Sequence, residues 1–105
     1  MEYTFELSED GFYIPRLNNE FKLVELVFED MASFGEAIFK DFMENVITEK
    51  SEREEILGNI CSLEILKEYT IIITEFVDSG VSNELKVDTD EMFKLINEWI
   101  EKNDL

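Results

Sequence analysis

The stretch that decides the fold runs from Thr70 to Trp99: Thr-Ile-Ile-Ile-Thr-Glu-Phe-Val, a turn, Glu-Leu-Lys-Val-Asp, and then an amphipathic segment. Its first part belongs to a strand predicted for residues 69–77, in which the consecutive β-branched Ile71, Ile72 and Ile73 make both faces apolar. Such a strand is covered on both faces, or covered on one and partly shielded on the other. The sequence therefore predicts a sheet with residues 69–77 near its centre.

The second part of the stretch predicts a turn, an edge strand and a helix. Residues 78–80, Asp-Ser-Gly, are typical of a turn, and Leu85 and Val87 alternate with charged residues as in a short edge strand. Asp88, with Glu91 three residues later, has the form of a capping box. We expect an amphipathic helix behind this cap, packed on the sheet. Its apolar face consists of Met92, Leu95, Ile96 and Trp99.

The N-terminal residues predict a small hairpin. Residues 2–7 alternate between polar and apolar side chains, which is the pattern of a half-buried strand. Residues 12–14, Phe-Tyr-Ile, form a second short strand that is expected to stop at Pro15. Asp10 and Gly11 between the two runs favour a hairpin turn.

Helical spacing of apolar residues then extends from an N-cap at Asn18 to about Ile47. Residues 23–28 also alternate as a strand would, so helix and strand both remain open there, with helix the better match. Ser33 can cap a fresh start, and Gly35 weakens a helix by about 1 kcal/mol. Together they indicate a break between two helical segments.

The most polar run, residues 48–55, is predicted to be either a solvated loop or the start of a short helix. Ser51 and Glu54 fit a capping box, and residues 58–59, Gly-Asn, would end that turn. Residues 60–66 resume strand-like apolar content, and a hairpin turn is expected at residues 67–68. The whole pattern predicts an α+β fold: an antiparallel sheet with N-terminal helices and a C-terminal amphipathic helix packed on it. The length suits a single domain over residues 1–105.

The charge balance is the unusual feature of the composition. The chain has 26 Asp and Glu against nine Lys and Arg, a formal net charge of −17, whereas roughly 2–8 suits a small soluble domain. The excess either serves solubility alone or forms a functional acidic surface. Such a chain repels nucleic acid and anionic membranes and attracts a basic protein partner. The N-terminus lacks a signal-peptide pattern, so a cytoplasmic protein is expected.

Candidate catalytic groups are few. The chain has no histidine and one cysteine, Cys61, which excludes a Cys–His pair, a Ser-His-Asp triad and an internal disulfide. Glu75 is the best candidate for a carboxyl with a raised pKa, although a solvent-facing residue or a partner of Lys86 is the commoner arrangement. The acidic residues 88–91 lack the spacing of a calcium loop, and a helix cap accounts for them. We therefore predict no enzymatic activity, no metal and no cofactor.

Residues 87–99, Val-Asp-Thr-Asp-Glu-Met-Phe-Lys-Leu-Ile-Asn-Glu-Trp, follow a β-rich stretch and resemble the C-terminal end of small bacterial immunity proteins. These belong to contact-dependent growth inhibition and related polymorphic toxin systems. Their chains often close with a strand, an acidic cap and a helix ending near Leu-Ile-x-x-Trp. The resemblance implies an inhibitor that binds a secreted toxin's nuclease domain and blocks its active site or substrate surface. It assigns no binding residue, because contacts differ between toxin pairs.

The charge supports the same expectation independently, because nucleic-acid-cleaving toxins need a basic surface for their substrate. Phe39, beside Ile38 and off the main apolar stripe, is a candidate exposed anchor. The alternatives are a nucleic-acid mimic or adaptor that binds a host nucleic-acid-binding protein, and an enzyme using carboxylates alone or together with a metal. If the interface does not lie near the sheet ends, residues 49–55 are the next candidate. The predicted partner-binding residues, in loops near the sheet ends, are Glu9, Asp10, Glu75, Asp78 and Glu84.

Overall fold

The computed structural model describes residues 1–75 and 82–105, and within these ranges it contains six strands and three α-helices. A short 3-10 turn at Asn19–Phe21 precedes the first helix. In chain order the elements are β1 (Thr4–Leu7), β2 (Tyr13–Arg16), α1 (Lys22–Phe34), α2 (Lys40–Ile47), β3 (Arg53–Leu57), β4 (Cys61–Leu66), β5 (Tyr69–Thr74), β6 (Glu84–Asp88) and α3 (Thr89–Lys102).

The predicted N-terminal hairpin is confirmed, with β1 and β2 antiparallel and Phe5 opposite Pro15. The expectation that the second strand stops at Pro15 is wrong, because β2 continues to Arg16. In a two-stranded sheet each strand has one free edge, where the missing N–H of proline costs no ladder hydrogen bond. The Asn103 side chain accepts from Tyr13 N at 2.7 Å and donates to Tyr13 O at 3.1 Å, which joins the hairpin to the end of α3.

Residues 23–28 are helical, as the better of the two interpretations predicted, since they lie within α1. The predicted break is also confirmed, and Gly35 supplies it with a left-handed φ of 75° at the end of α1. Ser33 does not cap a new helix, contrary to the prediction. It lies inside α1, where its hydroxyl donates to Asp30 O at 2.6 Å.

The prediction of a loop or short helix for residues 48–55 is wrong for its last part, because Arg53 begins β3. Glu54 lies in this strand, so Ser51 and Glu54 do not form a capping box. The strand tolerates polar residues because one of its faces is solvated. On that face the Arg53 Nε atom donates to Glu64 Oε1 across to β4 at 3.1 Å. The predicted turn residues 58–59 lie in the connection between β3 and β4, which consists of residues 58–60.

The larger sheet is antiparallel with the strand order β3-β4-β5-β6, so the predicted central position of β5 and edge position of β6 are confirmed. β5 ends at Thr74, so Glu75 is not part of the strand, contrary to the prediction. Residues 76–77 of the predicted strand and the predicted turn at residues 78–80 lie outside the described ranges. The Asp88 cap of α3 is confirmed, since Asp88 Oδ1 accepts from Glu91 N at 3.1 Å.

The three helices pack on one face of this sheet, where strand and helix side chains share one core. Trp99 of α3 lies at its centre, stacked on Phe12 of the hairpin at 6.0 Å between ring centroids and 5.8 Å from the ring of Phe28 in α1. The α+β class and the packing of α3 on the sheet are as predicted. None of the described helices is long and apolar enough to cross a membrane. The apolar residues of the larger sheet that are buried in the core are Cys61, Leu63, Ile65, Ile72 and Val87.

Candidate functional site

The face of the four-stranded sheet opposite the helices is open in the described part of the chain, and we call it the open face. Alternation along each strand decides which side chains reach it. In β4, for example, Cys61, Leu63 and Ile65 are buried while the residues between them are partly exposed. β3, β5 and β6 contribute their own outward residues in the same way.

The strand register arranges the outward side chains of the open face in rows. A row near the β4–β5 turn pairs Arg53 with Leu66 and Tyr69 with Asp88. The middle row consists of Glu55, Glu64, Ile71 and Lys86. The row at the opposite end consists of Leu57, Ser62, Ile73 and Glu84.

The end row combines exposed apolar side chains with a small residue between them. The Leu57 side chain is 87% exposed and that of Ile73 is 38% exposed. Ser62 lies between them across the strands, and this small side chain leaves a depression of about 240 Å³ bordered by Glu55 and Glu64. An apolar centre inside a polar surround is the usual anatomy of a protein–protein interface.

Both basic side chains of the open face contact other side chains of that face. Arg53 lies 2.8 Å from Glu55 and 3.1 Å from Glu64, and the hydrogen bond to Glu64 with the charge of Glu55 raises the pKa of the guanidinium. Lys86 lies 4.0 Å above the ring of Tyr69. The four carboxylates of the rows outnumber these two cations, so the open face is acidic.

The structure brings two of the predicted partner-binding residues together. Glu75 is exposed one residue beyond β5, and Glu84 is exposed at the start of β6. Thr74 N donates to Asn83 O at 3.0 Å, so the two chain segments run side by side at the end-row side of the sheet. The exposure of Glu75 agrees with the commoner of its two predicted arrangements. Asp78 lies outside the described residues.

The other two predicted residues, Glu9 and Asp10, are exposed in the β1–β2 turn. The hairpin packs on α1 and α3, so they are not part of the open face. They border a separate cleft of about 510 Å³. In that cleft Arg16 lies 3.0 Å from Glu29, which is one of the cleft's own carboxylates.

Comparison with known proteins decides the family. No protein-family model and no solved structure matches the chain. A Bacillus cereus protein named "Immunity protein" is 31% identical over 101 residues, which cover 95% of this chain and 86% of that relative. The chain belongs to this family of immunity proteins. The resemblance of residues 87–99 to immunity proteins is therefore confirmed, and the similarity to the relative extends over nearly the whole chain.

Asp30 of this immunity protein is a buried carboxylate that sequence reasoning missed. It accepts from the backbone N–H groups of Asn59 at 3.0 Å, Ile60 at 3.0 Å and Cys61 at 3.1 Å. The helix α1 thereby holds the β3–β4 turn directly after Leu57. The available signal was the position of Asp30 on the apolar stripe of α1, between Val27 and Phe34.

Glu25 is a second buried carboxylate in the immunity protein that the sequence reading did not single out. It accepts from Leu17 N at 3.0 Å and lies 3.1 Å from Arg16 and 3.3 Å from Lys22. These contacts join the end of the hairpin to α1. Glu25 therefore has a structural role, like Asp30.

The prediction that Phe39 is an exposed anchor is wrong, because the side chain is fully buried at the start of α2. It packs in the core with the other large side chains of the immunity protein. The aromatic residues that are exposed around the α1–α2 connection are instead Phe34 and Phe42. The prediction assumed that the helical spacing of α1 continues through Phe39. The linker after Gly35 interrupts that spacing, so the stripe of α1 does not determine the exposure of Phe39.

Cys61 is predicted to be unreactive in the native immunity protein. Burial raises the pKa of the thiol, and the neighbouring Asp30 carboxylate raises it further. Because the thiolate is the reactive form, we expect the native protein to react with Ellman's reagent at least 100-fold more slowly than the urea-unfolded protein. Equal rates in the two states would contradict the buried position.

Proposed function

We propose that this immunity protein neutralises a cognate toxin by binding it, without catalysing a reaction. The observation that carries the proposal is its membership of the immunity protein family. We further propose that the toxin acts through a basic nuclease domain and belongs to a contact-dependent growth inhibition or related polymorphic toxin system. The inhibitor would act in the cytoplasm, where it would cover the active site or substrate surface of the nuclease.

The net charge of −17 supports a nuclease as the target. A nuclease must attract the phosphate backbone of its substrate and therefore presents a positive surface. An acidic protein is attracted to the same surface, which speeds association and excludes the substrate. Exposed carboxylates such as Glu9, Asp10, Glu75 and Glu84 would contribute to this attraction.

The first test is inhibition by the purified protein. We expect a toxin gene beside the gene for this chain. Its toxin domain is expressed separately, and its cleavage of DNA and RNA is measured with increasing amounts of the immunity protein. We expect complete inhibition at a one-to-one ratio. Co-expression should also restore the growth of cells that produce the toxin. Binding without loss of cleavage would contradict the proposed mechanism.

The second test is the salt dependence of the association rate. Raising NaCl from 0.05 to 0.5 M shortens the Debye length from about 14 Å to about 4 Å. We expect association, measured by stopped-flow fluorescence, to slow by about tenfold or more, with a much smaller change in the dissociation rate. An association rate that does not change with salt would remove the electrostatic part of the proposal.

The acidic surface is also compatible with a mimic that binds a host nucleic-acid-binding protein. The growth experiment separates this candidate from the first. A mimic would not rescue cells from the neighbouring toxin, and it would instead impair growth when produced alone.

A further inference from the structure

We propose that the open face is the surface that contacts the toxin, with Leu57 and Ile73 as its apolar centre and Glu75 and Glu84 as its main acidic border. The inference rests on the proposed function and adds the location and chemistry of the interface. The occupant is a basic patch of the toxin. Its central contact is a lysine or arginine side chain that enters the depression above Ser62.

The depression fits a long basic side chain because it offers apolar contacts to the aliphatic stem and a nearby carboxylate to the charged head. Leu57 and Ile73 provide apolar walls for the aliphatic stem, since lysine and arginine bury their methylene groups against such surfaces. Glu55 and Glu64 border the depression but already contact Arg53, whereas Glu84 has no ion pair among the described residues. Glu84 lies directly across from Ile73, beside the depression, where it can receive the charged head. Glu75 lies at the same end of the sheet and adds to the negative potential.

The apolar centre is held in place before a partner arrives. Asp30 binds the three backbone N–H groups of residues 59–61, and Gly58 N donates to Cys61 O at 2.9 Å. These bonds fix the turn that follows Leu57. A surface already ordered in its binding conformation loses less entropy on association, which favours tight binding.

The hairpin cleft is the main competing surface, since it contains Glu9 and Asp10. Its charge is partly neutralised from within, because Arg16 lies 3.0 Å from Glu29 and 3.9 Å from Glu6. Arg53 neutralises Glu55 and Glu64 of the open face in the same way, but Glu84 of the end row has no ion pair among the described residues and lies beside exposed apolar side chains. We therefore assign the close contacts to the open face and only long-range attraction to Glu9 and Asp10.

The test uses paired lysine substitutions in the full-length chain. L57K and I73K place a positive charge in the proposed contact, while L7K is the matched control on β1, where Leu7 is 57% exposed. Binding to the purified toxin domain is measured by biolayer interferometry, and circular dichroism verifies the fold of each variant. We expect L57K and I73K to raise Kd at least 30-fold through faster dissociation. L7K should change Kd by less than threefold.

A second pair of variants distinguishes a carboxylate that contacts the toxin from one that only attracts it at long range. E84K should raise the dissociation rate by about tenfold or more, because truncating or reversing a close charge pair acts mainly on dissociation. E9K should slow association by a few-fold at low salt and leave the dissociation rate unchanged. If I73K does not fold, L57A and E84Q still test the same row, because both positions are exposed.

The outcomes distinguish the interface from the function. If the wild-type protein neither binds nor inhibits the toxin domain, the proposed function fails, and the assignment of the surface fails with it. If the wild type inhibits and the open-face variants inhibit equally well, the function stands and the open face is not the interface. Loss of binding by L7K and E9K instead would assign the interface to the hairpin. A wild-type dimer that L57K converts to a monomer would show that a second copy occupies the face.

Discussion

Replacing Asp30 with alanine should lower the free energy of unfolding by about 3–4 kcal/mol, because three backbone N–H groups lose their acceptor at once. An unsatisfied buried donor costs about 1–3 kcal/mol, and the outermost of the three can regain a bond to water. Urea denaturation followed by the fluorescence of Trp99, the single tryptophan, measures the change. Trp99 is fully buried and therefore sensitive to unfolding.

Two further variants control this measurement. Asp30→Asn keeps one side-chain oxygen as an acceptor and should lose about half as much stability as the alanine variant. Asp41→Ala, at an exposed position in the first turn of α2, should stay within about 0.5 kcal/mol of the wild type. A loss below about 1 kcal/mol for Asp30→Ala would mean that the β3–β4 turn does not depend on this carboxylate.

Gly58→Ala should lower the free energy of unfolding by about 2–3 kcal/mol, which is at the upper end of the usual cost of overpacking. A Cβ atom at this position would lie 2.1 Å from Asp30 Oδ2 and 2.8 Å from Asp30 Cγ. The carboxylate cannot move aside without breaking its bonds to the turn. Urea denaturation again measures the loss, with Asn59→Ala as the exposed neighbouring control.

A double-mutant cycle isolates the cause of the Gly58 effect. In the Asp30→Ala background the two closest atoms are absent and only Cys61 O remains, 3.0 Å from the added Cβ, so Gly58→Ala should cost less than about 1 kcal/mol. The two substitutions should therefore show a coupling energy of about 2 kcal/mol, which is in the range expected for residues in contact. The same cost in both backgrounds would assign the effect to the backbone of Gly58 and not to the carboxylate.

The elements that the sequence predicted well have strong local signals. The three isoleucines of β5 indicated a central strand, and Asp88 with Glu91 marked the start of α3 within its own first turn. The pattern of residues 23–28 fits both a strand and a helix. The helical spacing that continues to Phe34 favoured the helix, and these residues lie in α1. In each case residues within one element carried enough information.

The element that the sequence missed depends on distant residues. β3 is polar because Arg53 and Glu55 point to solvent, and Arg53 finds Glu64 eleven positions later on the next strand. A match to a capping box therefore suggested a helix start where a strand forms. Asp30 was missed for a similar reason, since its partners lie 29 to 31 residues away.

The candidate site shows the same division between local and distant information. The proximity of Glu75 and Glu84 follows from the antiparallel pairing of β5 with β6, and the sequence predicted both residues as members of one region. Leu57 and Ile73 line the same depression only because β3 pairs with β4 and β4 pairs with β5. With β3 unassigned, neither the row nor its apolar centre could be derived from the residues alone.

The alternation of the sheet strands has a consequence for how binding specificity can evolve. Inward residues such as Leu63 and Ile72 form the core, while outward residues such as Ser62 and Ile73 alternate with them along the same strands. Substitutions at exposed outward positions typically change stability by less than about 0.5 kcal/mol. With the open face as the proposed toxin-binding surface, an immunity protein of this architecture would adapt that face to a changed toxin while its fold stays constant, provided that Asp30 keeps the strand ends in place.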